Sequence, residues 1–298
     1  MSRFGILRLA LLVQATLISA AANSSPGSDA SDWYEVKYVD PGVYVIAEPK
    51  SSQHNVSYLI LGEERAVMID TASGEYEPDH GTNIRHIIEE ITELPVTLVL
   101  SHFHFDHNAN IGEFDTVAFA NLEYLRTRVD RNGIYRFSRE ELALGVHPEK
   151  TKVSEWWPLG TDIDLGGRHI KLLSIPGHTP DSIMILDEAN KMAFTGDSYD
   201  ASAALLIGRS GLDDYLRSVE MLLARLDSSY QFFGAHRDQD SDYSGLFELQ
   251  AVLSCFKNDN CPLAPEPIEM AGLPALLYTV ENSALIYVEL PQGFYDKP

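Results

Sequence analysis

Five of the ten histidines fall into three short segments, and two aspartates stand with them. The first segment, SHFHFDHN, places His102 and His104 two residues apart, alternating with Phe103 and Phe105. In an extended chain residues two apart point the same way, so both imidazoles face one point while the phenylalanines face a core. Asp106 and His107 follow a turn and can face a second point, which fits two adjacent metal centres better than one. Further on, SIPGHTPDS presents His178 after the Pro176-Gly177 turn, AFTGDS presents Asp197 after Gly196, and FFGAH presents His236 just beyond Gly234. Glycine so close to each ligand suits the approach of backbone to a crowded centre. Imidazole and carboxylate donors without a thiolate suit zinc and tolerate iron or manganese. Two such ions about 3.5 to 4 Å apart can share a water, lower its pKa and hold it as hydroxide against an electrophilic carbonyl or phosphorus. That chemistry is hydrolysis. It requires no serine or cysteine nucleophile, and the chain carries no GxSxG turn.

The elements that position these residues follow from the hydrophobic pattern. GVYVIAE from Gly42 and the run from Asn55 to Asp70 read as strands, with a hairpin turn at Gly62-Glu63-Glu64-Arg65. Asn83 to Thr92 has Ile84, Ile87, Ile88 and Ile91 at one-face helical spacing. After Pro95 the apolar run VTLVL ends at Ser101, so the first histidine segment begins at the C-terminal end of a strand. Thr116 to Ala120 reads as a strand and Leu122 to Arg131 as a helix. Arg136 to Val153 reads as a surface helix or a flap over the site, with Trp156-Trp157 just beyond. Arg168 to Ile175, Ser182 to Leu186 and Lys191 to Thr195 are β-like. A helix capped by Ser210 follows, with Leu212, Leu216, Val219, Leu222, Leu223 and Leu226 on its apolar face. Tyr230 to Phe233 returns as a strand, Tyr243 to Phe256 as a helix, and LLYTV with ALIYV as a hairpin around residues 281–283. Strands in hairpins with helices between them predict an α+β fold of two sheets packed face to face and covered by helices.

Composition bounds the rest. The chain has 298 residues, 45% hydrophobic and 22% charged, enough for one large domain. Arg3 and Arg8 around an apolar run that ends in Ala20-Ala21-Ala22 predict a signal peptide over residues 1–22, a flexible leader over 23–34 and a single domain over 35–298. The run is interrupted and too short for a stable membrane anchor, so a secreted or periplasmic protein is expected. The formal net charge is −22, and losing Arg3 and Arg8 takes it to −24. A surface of that sign repels phosphate backbones and anionic membranes, which argues against nucleic acid and for a small-molecule substrate. Cys255 and Cys261 are six apart and are expected to close a disulfide in an oxidising compartment.

HxHxDH followed in order by PGH, TGD and GxH resembles the metallo-β-lactamase superfamily over about residues 40 to 240. The resemblance implies a four-layer αβ/βα sandwich with the site at one edge of the paired sheets. It implies that His102, His104 and His178 hold one metal, that Asp106, His107 and His236 hold the other, and that Asp197 bridges them. Asp106 would also orient the nucleophile, which makes it the catalytic candidate. Asp70, at the end of AVMID, matches an acidic position that supports the site from behind the ligands, although a turn role fits it equally. Ser198 and Tyr199, beside Asp197, could reach a substrate carbonyl or form the rim. His54, His80, His86, His147 and His169 match no motif.

The resemblance implies a hydrolase with two zinc ions per chain, iron or manganese being the alternatives. A lactone, ester or amide carbonyl leads as substrate, ahead of a β-lactam, a phosphodiester or a thioester. Iron oxygenases of this family leave part of the second centre unused, whereas here every ligand position is filled; the same fact argues against a non-catalytic metal-binding module.

Overall fold

The computed structural model describes residues 33–75, 83–143, 145, 147–200, 204–237, 240–270, 273–281 and 283–290. The expected signal peptide, residues 23–32 of the leader, His80, Asn282 and the last eight residues of the expected domain lie outside the described residues. Trp33 and Tyr34, which the sequence assigned to the leader, are part of the fold: Tyr34 is buried and Trp33 Nε1 donates to Glu48 Oε1 at 2.8 Å.

Two sheets carry the architecture. The first has seven strands in the spatial order Glu35–Asp40, Val43–Ala47, Val56–Leu61, Ala66–Ile69, Val96–Val99, Val117–Ala120 and Glu155–Trp157. The second has six, in the order Ile163–Asp164, His169–Ser174, Ile183–Asp187, Met192–Gly196, Gln231–Gly234 and Asp240–Ser241. Period-two alternation assigns each strand two faces. Val43, Val45, Tyr58, Ile60, Val67, Ile69 and Val99 meet Ile170, Leu172, Ile183, Ile185, Phe194 and Phe233 between the sheets. Ile46, Leu59, Met68 and Leu98 face the other way, onto Ile84, Ile87 and Ile88 of the helix Ile84–Ile91. The outer face of the second sheet is covered by the helices Leu212–Arg225 and Tyr243–Lys257. Three apolar interfaces separate four layers, helix, sheet, sheet and helix, as the sequence predicts.

A third sheet of four strands lies against the C-terminal helices, in the order Ala204–Ile207, Ser283–Val288, Leu273–Val280 and Glu266–Met270. The expected C-terminal hairpin is its centre, while Ala204–Ile207 joins it in parallel from about 80 residues upstream.

Three local expectations are corrected. Leu122 to Arg131 is helical only over Glu123–Arg126, because Asp130 Oδ1 accepts from the N–H groups of Asn132 and Ile134 and closes a turn instead. Arg136 to Val153 is no surface helix: Ile134–Arg136 pairs antiparallel with Lys150–Lys152, and Tyr135, Leu142 and Val153 are buried. Ser210 does not cap its helix, which starts at Leu212 with Gly211 as N-cap and no side-chain cap bond. That start is set by packing, since a Cβ on Gly211 would lie 2.5 Å from the carbonyl oxygen of Gly177.

Cys255 and Cys261 are bonded, tying the end of the last helix to the loop that follows. The chain-entropy model for so small a loop puts its contribution at about 2 kcal/mol. Cys255→Ser is expected to lower the unfolding free energy from denaturant titration by that amount without changing metal content; an unchanged midpoint under non-reducing conditions would show that the bond adds nothing.

Candidate metal centre

All the candidate ligands leave the C-terminal ends of strands on one edge of the sandwich. His102 and His104 follow Val96–Val99. Asp197 and His236 follow Met192–Gly196 and Gln231–Gly234, which are adjacent and parallel, so their ligands emerge side by side. His178 follows His169–Ser174. The two sheet edges are joined here by the Ile183 N–H, which donates to Ser101 O at 2.8 Å, and by the Val56 N–H, which donates to Ala235 O at 2.8 Å.

The structure brings the seven residues into two groups. Ligand atoms of His102, His104, His178 and Asp197 lie within 4.8 Å of one another, and so do those of Asp106, His107 and His236. Asp197 reaches both groups, with Oδ2 3.5 Å from His178 Nε2 and 3.1 Å from His236 Nε2, and Oδ1 3.4 Å from His107 Nε2. This is the placement a bridging carboxylate requires.

The hydrogen bonds behind the ligands test whether a cation fits. His178 Nδ1 lies 3.0 Å from Leu205 O and His236 Nδ1 lies 2.9 Å from Gln53 O. A carbonyl only accepts, so each Nδ1 carries the proton, and in the neutral ring Nε2 is left as a lone pair. His107 Nδ1 donates likewise to Asp70 Oδ2 at 3.0 Å. Ser101 Oγ donates to the same carboxylate oxygen at 2.7 Å, which leaves it able to accept from His102 Nδ1 at 3.0 Å. The lone pairs of His178 and His102 then face each other 3.2 Å apart. His107 Nε2 and Asp197 Oδ1 are buried with no hydrogen-bond partner. Converging lone pairs and orphaned buried polar atoms are costly without a cation and suited to one.

Asp70 thus supports the site rather than serving only a turn. Its backbone is left-handed, φ +61°, and its side chain aligns one histidine in each group, His107 directly and His102 through Ser101. Gly196 is required for this relay. Its φ is +53°, and a Cβ there would press to 2.6 Å of Ser101 Oγ.

Charge divides the two groups. Burial, reinforced by the neighbouring imidazoles, pushes His102 well below its usual value; burial and His178 push His104 down to about 3, and burial also lowers His178. His107 and His236 go the other way. Burial opposes their charging, yet the carboxylates of Asp197 and Asp106 hold His107 well above its usual value and raise His236 to about 9. In the metal-free protein the raised value of His236 contributes stability that is complete below pH 6.5 and lost as pH rises through about 9. A cation in that group must displace protons, whereas the group of His102, His104 and His178 is already neutral at pH 7. Zinc titrations of chelator-treated protein at pH 6, 7.5 and 9 are therefore expected to show one site tightening up to about tenfold per unit for each proton displaced and another nearly constant. Calorimetry in buffers of different ionisation enthalpy counts the protons; equal release at both sites would refute this division.

Some of the site was not anticipated. Asn55 Nδ2 donates to Asp106 Oδ2 at 3.3 Å, and the His236 N–H donates to Asp200 Oδ2 at 3.3 Å. The Leu205 carbonyl that orients His178 lies on a strand with no ligand-like signature. Ser198 and Tyr199 are neither substrate-facing nor rim residues: both are buried, Ser198 Oγ donating to Ile175 O and Tyr199 OH to Asp242 O. His86 and His169 are exposed beside Glu90 and Asp164, and His54 is held by Pro49 O, all outside the centre.

The family model for the metallo-beta-lactamase superfamily matches residues 53–236. The chain is similar to the human acyl-coenzyme A thioesterase MBLAC2, 29% identical over 237 residues that cover 70% of this chain and 85% of the relative, and to the bovine protein of the same name at 28%. Among solved structures it resembles a metallo-beta-lactamase from Pontibacter korlensis, TM-score 0.54 at 18% identity, covering 74% of this chain and 99% of that one. It also resembles a metallo-beta-lactamase family protein from Thermus thermophilus, TM-score 0.57 at 18% identity over 77% and 85% of the two chains. With the ordered motifs, the layered fold and a family match across most of its length, the chain belongs to the metallo-beta-lactamase superfamily and is a hydrolase with a histidine and aspartate metal site.

Proposed function

We propose that this hydrolase cleaves acyl thioesters, with the corresponding esters and lactones as weaker substrates, using two zinc ions. The observation that carries the proposal is a cavity of about 200 Å³ into which His104, Asp106, Asp197 and His236 open beside an apolar wall that includes Phe105, Leu205 and Leu273. An acyl group fits that wall, and its carbonyl then lies at the ligands. The thioesterase named among the relatives at 25 to 29% identity supports the same bond.

Two bound cations would supply an acidified water and a Lewis acid for the carbonyl oxygen. His102, His104 and His178 would hold one ion, His107, His236 and Asp106 the other, with Asp197 between. Asp106 accepts a hydrogen bond from Asn55 and lines the cavity, from where it would accept a hydrogen bond from the attacking water. In the reaction the carbonyl carbon gains a bond to the water oxygen and loses its bond to sulfur. One water proton goes to the departing thiolate, and the product is a carboxylate with the other proton released.

Export fits the disulfide and the basic, apolar and small-residue start of the chain. Mass spectrometry of the native protein should find a mature N-terminus near Asn23. The activity is tested by metal analysis followed by a panel of acyl thioesters, aryl esters, lactones, cephalosporins and phosphodiesters. Two zinc ions per chain with thioesters turned over fastest is the expected result. A fully loaded protein that cleaves only lactams or phosphodiesters would overturn it.

A further inference from the structure

The cavity does not stand alone at the ligands. A second, open groove of about 610 Å³ begins at His178 and shares Ile207 and Leu290 with the cavity, so these two side chains stand where the two spaces meet. His104, Asp106, Asp197 and His236 therefore face a small apolar space that adjoins a larger groove, which passes His178 on the side away from its buried ring.

The two spaces differ in chemistry. The cavity wall opposite the ligands comes from the third sheet and its end, through Leu205, Ile207, Met270, Leu273, Val288 and Leu290. Four of these six lie beyond residue 236, where the family match stops. The groove is lined by the exposed carboxylates of Glu140 and Glu289 and by Asp214, which is paired with Arg217. The cation among its described residues, Arg209, is already engaged: its guanidinium is 3.2 Å from Asp259 Oδ1 and lies 4.4 Å from the ring centroid of Phe256. The chain as a whole has a formal charge of −22.

We propose that the substrate is bipartite, with an apolar acyl chain in the cavity of the third sheet and a leaving group without net negative charge in the groove. The proposal rests on the acyl hydrolase reading and extends it in a direction the named relatives do not suggest. Coenzyme A carries a diphosphate and a 3′-phosphate, and an acidic groove on an acidic protein repels such a group. A neutral pantetheine-like or cationic thiol or alcohol meets no such field. The acyl side is specified by volume and apolarity, so affinity should rise with chain length until the cavity is filled and then level off.

The test measures binding, so that it does not depend on turnover. S-alkyl thioethers of N-acetylcysteamine and of coenzyme A lack the scissile carbonyl and can be titrated into the zinc-loaded protein. Affinity of the cysteamine series is expected to rise by about two- to fourfold per methylene and then to plateau, the plateau coming earlier in Leu273→Trp. At equal chain length the coenzyme A thioether should bind more weakly at low ionic strength, and the gap should narrow as salt screens the field. Reversing exposed groove charges in Glu140→Lys with Glu289→Lys should move the ratio of the two affinities toward coenzyme A by about tenfold. Affinity independent of chain length, or tighter coenzyme A binding that weakens with salt, overturns the proposal. Binding as expected from a protein that hydrolyses no acyl thioester, ester or lactone would leave this site standing and sink the catalytic reading alone.

Discussion

Asp197→Ala is expected to leave the protein folded but unable to retain either metal, with activity below detection. Its carboxylate lies within 3.1 to 3.5 Å of His178, His236 and His107, so both groups lose a ligand at once. Binding to the native state adds to stability by mass action, about 2.7 kcal/mol when free metal is a hundredfold above the dissociation constant. For a domain of this size the loss of that linkage should lower the thermal midpoint by roughly 5 to 10 °C, and a chelator should lower the wild type by a similar amount while leaving the variant unmoved. Asp106→Ala differs in a readable way. Its carboxylate oxygen Oδ2 is 3.5 Å from His107 Nε2 and 3.7 Å from His236 Nε2, so occupancy should fall from two ions toward one. Turnover should collapse with a smaller thermal shift. His169→Ala, at an exposed position, should change neither. Metal content, thermal midpoint with and without chelator, and turnover of a thioester decide the matter; full activity in the Asp106 variant would defeat the assignment.

Asp70→Asn is expected to weaken both metal groups without removing a ligand. Asparagine tolerates the left-handed backbone at this position and can still accept from the Ser101 N–H, which donates to Asp70 Oδ1 at 2.7 Å. Its amide nitrogen cannot accept from His107 Nδ1 or from Ser101 Oγ, so both relays fail together. Loss of such a partner costs roughly 10- to 100-fold in metal affinity or activity. Ser101→Ala separates the two arms, because it breaks only the link to His102. The ion held by His107 should then stay as tight as in wild type while the other loosens. Competition with a chromogenic chelator resolves the two affinities, and an equal loss at both in Ser101→Ala would show that the serine is not a one-sided relay.

The convergence of the candidate ligands and the layered core were legible because both depend on short-range periodicity. His102 and His104 share a direction through the alternation of an extended chain, and Ile84, Ile87 and Ile88 share a helix face through its 3.6-residue turn. Glycine beside a buried ligand is likewise a local signal, and Gly196 bears it out with its positive φ. Local signals also misled. Ser210 has the composition of a cap, but the start of its helix is set by contact with Gly177, more than 30 residues earlier in the chain.

Donor type and side-chain direction follow from residues a few positions apart, so the candidate ligands and most of the strands and helices that carry them could be read before any fold was known. The outer partners that orient those side chains, and the wall that faces them, come from contacts far apart in the chain. Asp70 meets Ser101 and His107 across 31 and 37 residues, and Leu205 reaches His178 through a carbonyl that any residue would possess. Ala204–Ile207 becomes a strand by pairing in parallel with Ser283–Val288, and that pairing brings Val288 and Leu290 to the wall that faces the candidate ligands. Backbone acceptors and long-range strand partners leave no mark on local composition, because they are selected by the closure of the fold and not by the residues that supply them.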